Sequence, residues 1–376
     1  MVSHVIIFSG ITANPHLNTA FSRFTGVVMR IADVKARKIL DSRGNPTIEI
    51  DLMLEQNGRS ASGRAAAPSG ASRGKHEVVD FPEGGVDAGV RKLEEVVNKL
   101  KQMKFSDQES FDSALRELDG TPNLSNIGGN VTVAMSMAFA KAMATLLGRP
   151  LFQNLNPEAS GLPFPLGNVL GGGKHAGMRA PDIQEFLVIP VGAKNIVEAV
   201  FTNSQVHKRV RKVLEKLDPT FTGGKGDEGA WAPNLNSQKA LETVSKACEE
   251  VSAETGVTVK PGLDVAASSL YDSKKNVYNY KREGKIRDPG EHLDFIVELV
   301  KTYRLAYVED PIQEEDFDGF AEITAKVGNQ CLICGDDIFV TNVERIEQGL
   351  RMKAANSVLI KPNQICLLYT SPSPRD

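Results

Sequence analysis

Between residues 257 and 361, four short apolar runs each close on a charged side chain. VTVKPGLD (257–264) ends at Asp264, LAYVE (305–309) at Glu309, CLICGD (331–336) at Asp336 and SVLIK (357–361) at Lys361. Amphipathic helices are predicted between them. One covers 237–255, with Leu241, Val244, Cys248 and Val251 on one face and Gly256 as its stop. A second covers 291–303, and a third opens on the capping box Thr341, Asn342, Val343, Glu344. Repeated strand–helix units predict a parallel α/β domain. Charged residues at the carboxyl ends of successive strands are where a (β/α)8 barrel assembles its active site. A further run, EFLVI (185–189), carries its acid, Glu185, at its start instead. No strand opens onto a good dinucleotide fingerprint, so a doubly wound sheet is the second choice.

Upstream the grammar differs. Ile48, Ile50 and Leu52 alternate with Glu49 and Asp51, Asn57-Gly58 supplies a turn, and 60–66 returns, which predicts a hairpin. Helical patterns follow at 87–101, 108–118 and 131–147, the last stopped by Gly148 and Pro150. Strands and helices in separate blocks predict an α+β unit over 30–155, ahead of the barrel segment at 163–365.

The composition fits an enzyme-sized globular chain. It has 376 residues, 41% hydrophobic and 24% charged, with a net charge of −3. That balance excludes a dedicated nucleic-acid binder. Four cysteines exclude a disulfide scaffold and point to a reducing, cytoplasmic setting. The apolar stretch 131–147 contains Lys141 and is too short to span a bilayer, so no membrane segment is expected. Residues 1–30 hold no Asp or Glu, and 1–29 reads as a spurious or disordered leader ahead of a start at Met29. From Cys366 the chain becomes Pro-rich and foreign-looking, and 366–376 is expected to be a disordered tail.

Alone, a carboxylate at a strand end is ordinarily a salt bridge or a helix cap. Asp264, Glu309 and Asp336 in succession, without His or Cys at metal spacing, suit a hard divalent cation such as Mg²⁺. An apolar wall and a nearby cation would depress the pKa of Lys361, making it a plausible general base. The combination suggests proton abstraction beside a carboxylate.

Longer motifs sharpen this. DSRGNPT (41–47), PSGASRGKHE (68–77), NVLGGGKHAG (168–177), QEFLVIP (184–190), GDEG (226–229), GLD (262–264), EDP (309–311), GDD (335–337) and LIKPNQI (359–365) stand in an order that resembles the enolase family, in its archaeal branch. The resemblance implies an α+β N-terminal capping domain followed by an enolase-type (β/α)8 TIM barrel. It further implies reversible Mg²⁺-dependent dehydration of 2-phosphoglycerate to phosphoenolpyruvate, by a homodimer. It casts Asp264, Glu309 and Asp336 as ligands of the first Mg²⁺, and Ser72 as the ligand of a second that arrives with substrate. Lys361 becomes the base, Glu228 the general acid with Glu185 as its partner, and His175 a residue of a loop closing over substrate. Substrate would touch His175, Glu185, Glu309, Asp336 and Lys361.

Enolases continue past NQI into further strands that bring the phosphate- and carboxylate-gripping residues. The barrel here, about 200 residues long, is therefore expected to be incomplete, one or two strand–helix units short of the typical ~250, and the chain as written to be inactive or nearly so. A non-catalytic truncated paralogue acting as a binding protein, or another enolase-superfamily lyase or isomerase, are the alternatives. GGGKH (171–175) lacks the Ser or Thr of a P-loop, Cys331 and Cys334 read as buried structural thiols, and Trp231 reads as loop packing.

Overall fold

The computed structural model describes residues 28–70, 73–177 and 179–369, together with the backbone of Val5–Ile7; of Asp227 the backbone alone is described. The chain divides into two compact units. One comprises 162–340 and 344–360 with the first ten residues; the other comprises 11–161, 341–343 and 361–376.

In the latter unit, Arg30–Leu40, Pro46–Gln56 and Arg59–Ala66 form a three-stranded antiparallel sheet in that order. Gln56 pairs with Arg59 across Asn57 and Gly58, both at positive φ, which is the turn the Asn-Gly dipeptide predicts. The strand Arg30–Leu40 carries no clear alternation, since only Ile31 and few others face inward among its lysines and arginines, and periodicity did not single it out. Helices Gly85–Leu100, Gln108–Asp119 and Gly129–Leu146 stand within two residues of their predicted spans. Gly129–Leu146 is buried along nearly its whole length, which accounts for its near-continuous apolar sequence.

Residues 366–369, expected to be disordered, pack here. Cys366 and Leu367 are buried, the Leu368 N–H donates to Ser136 Oγ, and the Tyr369 N–H donates to Asp112 Oδ2. Residues 370–376 lie outside the described residues, as does most of the 1–29 leader.

The other unit is built on a seven-stranded sheet. Across it run Val5–Ile7, Ser357–Leu359, Leu332–Gly335, Tyr307–Glu309, Lys260–Asp264, Glu185–Ile189 and Gly167–Gly171. From Lys260–Asp264 to Ser357–Leu359 the neighbours are parallel, with helices Pro289–Tyr303, Phe317–Val327 and Val343–Met352 in the connections. The expectation of an all-parallel sheet fails at its other end. Glu185–Ile189 runs antiparallel to both of its neighbours; among its described residues the 172–184 connection from Gly167–Gly171 holds only the short helix Gly173–Ala176, and the chain returns alongside as a hairpin instead of crossing over. At this end of the sheet the reversal leaves the Gly-rich turn after Gly167–Gly171 without the parallel strand–helix–strand unit a dinucleotide site needs. Within the leader, Val5–Ile7 pairs antiparallel along the Ser357–Leu359 edge.

Alternation gives the sheet two faces. Phe186, Val188, Leu263, Val308, Ile333 and Val358 join the large core shared with the helices. Leu187, Ile189, Tyr307, Cys334 and Leu359 form a separate cluster on the opposite face. Cys331 belongs to the helix-side core and Cys334 to the other face, so the pair cannot share a metal; both thiols are free and buried.

His292 is fully buried in this unit. It is stacked on Tyr278 at 3.6 Å, with Nε2 2.7 Å from the Pro311 carbonyl and Nδ1 3.2 Å from the Tyr280 hydroxyl. A carbonyl only accepts, so Nε2 carries the proton and Nδ1 accepts from the phenol. Burial is the leading cause that pushes its pKa down to about 4. The unfolded chain protonates near 6.5 and the folded one does not, so this contribution is complete above 6.5 and is lost as pH falls toward 4, reaching about 3 kcal/mol there. Urea unfolding of wild type and His292→Phe should show the stability gap between them shrinking as the pH is lowered. A gap independent of pH would contradict the assignment.

Candidate active site

The strand reversal lines up the acids. Glu185 is the register partner of Asp264, Asp264 of Glu309, and Glu309 of Cys334. A strand entering from the opposite direction presents its first residue at the sheet edge where parallel strands present their last. The acid at the start of 185–189 therefore joins those at the ends of its neighbours, with strand backbones ~4.8 Å apart. Asp264, Glu309 and Asp336 are 5, 7 and 7% exposed. Carboxylates gathered at such depth are expensive unless charge or hydrogen bonds compensate them.

Asp310, Asp336 and Asp337 each place a carboxylate oxygen within 4.8 Å of the others. Asp310 and Asp337 were not singled out from sequence, because adjacent residues on a strand face opposite ways. Asp310 escapes that rule at φ +38°, just past the strand end. Its Oδ1 accepts the Asp336 N–H at 3.0 Å and its Oδ2 the Asp337 N–H at 2.8 Å, which ties the GDD turn to the EDP turn. Burial and the charges of Asp337, Asp336 and Asp264 hold its carboxyl well above the usual carboxylate range. Gln184 is another residue without a sequence signal of its own. Its Nε2 donates to Asp264 Oδ2 at 2.9 Å, while Asp264 Oδ1 accepts the Ala266 N–H.

On the antiparallel side, His175 Nδ1 lies 3.1 Å from Glu185 Oε1, an ion pair whose angle departs from that of an aligned hydrogen bond. Glu185 is the main cause that raises the His175 pKa, against the opposing effect of burial. Glu228 sits at φ +63° in the GDEG turn. The residue is exposed, yet its carboxyl is crowded enough that desolvation, followed by the charge of Glu185, raises its pKa. The approach of the two loops is close, since a Cβ on Gly226 would stand 2.2 Å from the His175 carbonyl oxygen. Trp231 anchors the GDEG segment. Its Nε1 donates to the His207 carbonyl at 2.8 Å, and the His207 ring stacks on its indole at 4.5 Å. Loop packing is thus its observed place.

The structure brings together His175, Glu185, Glu228, Asp264, Glu309 and Asp336 within one unit. Lys361 belongs to the other, where it caps the short helix Pro362–Ile365 and its N–H donates to Thr341 Oγ1 at 2.8 Å. The Thr341 hydroxyl, expected as a helix cap, donates to Gln364 Oε1, and the following helix begins at Val343. Ser72 lies outside the described residues.

A mostly parallel sheet with a row of buried acids at one edge, flanked by helices and preceded in the chain by an α+β unit, defines an acid-lined α/β site of the kind that holds a hard cation. Family models described as "Enolase, N-terminal domain" and "Enolase, C-terminal TIM barrel domain" match residues 31–155 and 159–372. An enolase of Methanosphaera stadtmanae is 55% identical over 337 residues, covering 89% of this chain and 80% of the relative. One of Methanothermobacter thermautotrophicus is 53% identical with the same coverage, and one of Pyrobaculum aerophilum is 49% identical over 90% of this chain and 81% of the relative. The chain belongs to the enolase family, in its archaeal branch, and is a lyase of that family. The hard-oxygen donor set suits a divalent metal cofactor. Among the described residues no helix is long and apolar enough to cross a membrane.

Proposed function

We propose that the site is built for the reversible, Mg²⁺-dependent interconversion of 2-phosphoglycerate and phosphoenolpyruvate, in a cytoplasmic homodimer. The registered row of Glu185, Asp264 and Glu309 is the observation that carries this reading, because it gathers acids from three strands on one edge. Asp264, Glu309 and Asp336 would hold the metal, and Ser72 a second ion that comes with substrate. When bound, Mg²⁺ supplies positive charge to the substrate carboxylate, lowering the acidity barrier at its α-carbon.

The remaining steps belong to side chains. The amine of Lys361 takes the C2 proton, and the C–H electron pair becomes the C2–C3 double bond. The C3–O bond breaks, and Glu228 gives its proton to the departing hydroxyl, which leaves as water. Burial, followed by the charge of Glu185, raises the Glu228 pKa, keeping that carboxyl protonated to a higher pH than an isolated glutamate. His175, paired with Glu185, would lie on the loop that closes over the substrate.

The test is a direct assay of the 376-residue chain with 2-phosphoglycerate, following the ultraviolet absorbance of the enol phosphate. Activity should vanish on chelation and return with added Mg²⁺. Turnover that survives complete chelation would overturn the metal assignment, and a metal-loaded chain that binds substrate without turnover would favour the non-catalytic alternative.

A further inference from the structure

Tyr307 lies one layer below the acids, on the same face of its strand as Glu309 and with no exposed surface. Its hydroxyl donates to Glu309 Oε2 at 2.6 Å. Space for the ring is made by Gly262, its register partner, where a Cβ would stand 3.1 Å from the Tyr307 Cβ. Leu187, Ile189 and Leu359 fill the rest of this layer with apolar groups, and the Cys334 thiol lies beside the phenol. A Phe would fill the same ring space without the hydroxyl. A buried phenol needs a partner, and here it takes a carboxylate that belongs to the acid row.

We propose that Tyr307 is a positioning residue. Its single proton is committed to Glu309 Oε2, which fixes the torsion of that carboxylate and pre-orients it toward a divalent cation. The proposal rests on the reading of Glu309 as a metal ligand. Partners that orient a ligand carry much of a metal site's affinity, so their removal is felt in binding before it is felt in folding.

The test uses the full chain and Mn²⁺ as the probe, titrated by electron paramagnetic resonance. Tyr307→Phe should weaken Mn²⁺ binding by ~10–100-fold. Its activity at limiting Mg²⁺ should fall and be regained at high Mg²⁺, a recovery that a general loss of structure would not show. Tyr307→Met refills the volume with a flexible apolar chain and must show the same loss, which keeps the test decisive if the Phe variant fails to fold. An unchanged Mn²⁺ affinity in a folded variant, with or without a lower melting temperature, overturns the proposal. A wild-type chain that takes up no Mn²⁺ overturns the metal reading and this inference with it, whereas wild-type uptake combined with unchanged variant affinity overturns the inference alone.

Discussion

Asp264→Asn is expected to fold and to lose kcat/KM by ~10³-fold or more, because a metal site that polarises substrate supplies several kcal/mol to the transition state. The substitution keeps the shape and both local contacts. An Asn oxygen still accepts the Ala266 N–H, and Gln184, whose Nε2 now donates to Oδ2, can turn its amide to offer oxygen to the new NH₂. What disappears is one negative charge at the centre of the registered row, between Glu185 and Glu309. Steady-state kinetics across a range of Mg²⁺, with Mn²⁺ titration alongside, would check this. Near wild-type turnover at saturating Mg²⁺ would remove Asp264 from the ligand set. Unfolding by urea should shift little, or move toward greater stability, since a like charge has been taken from a crowded edge.

Lys361→Met carries the other large effect, a fall in kcat of about 10²–10⁴-fold, the usual worth of a positioned general base. Main-chain and neighbouring groups hold the local backbone. The Lys361 N–H reaches Thr341 Oγ1, whose own hydroxyl reaches Gln364 Oε1 at 2.6 Å. A Met side chain of similar length should leave those bonds intact. Exchange of the substrate C2 proton with deuterated solvent isolates the step. Wild type should exchange it and Lys361→Met should not, while KM moves far less than kcat. Exchange that persists in the variant would assign proton removal to a different group.

The acids at the ends of the parallel strands were legible because the pattern of an apolar run closing on a charge survives in one dimension. Glu185 was legible as an acid at the wrong end of its run, but its alignment with Asp264 needed the antiparallel pairing. Asp310 and Tyr307 could not be read in the same way. Asp310 depends on a positive φ that breaks strand alternation, and Tyr307 is indistinguishable from any aromatic core residue until its hydroxyl is placed 2.6 Å from Glu309. Gln184 sat inside a recognised motif, yet its hold on Asp264 crosses 80 residues of chain.

By itself the sequence determined the family and the run of strands and helices that carries the acids from 257 to 361, since local periodicity, turn residues and contiguous motifs are properties of neighbouring positions. Only the tertiary structure decided which carboxylates stand together, which are tied down by backbone N–H groups and which side chains orient them. Those relations are set by strand direction, register and the packing of one face against another, and such distances between remote residues are fixed only when the sheet closes over its core.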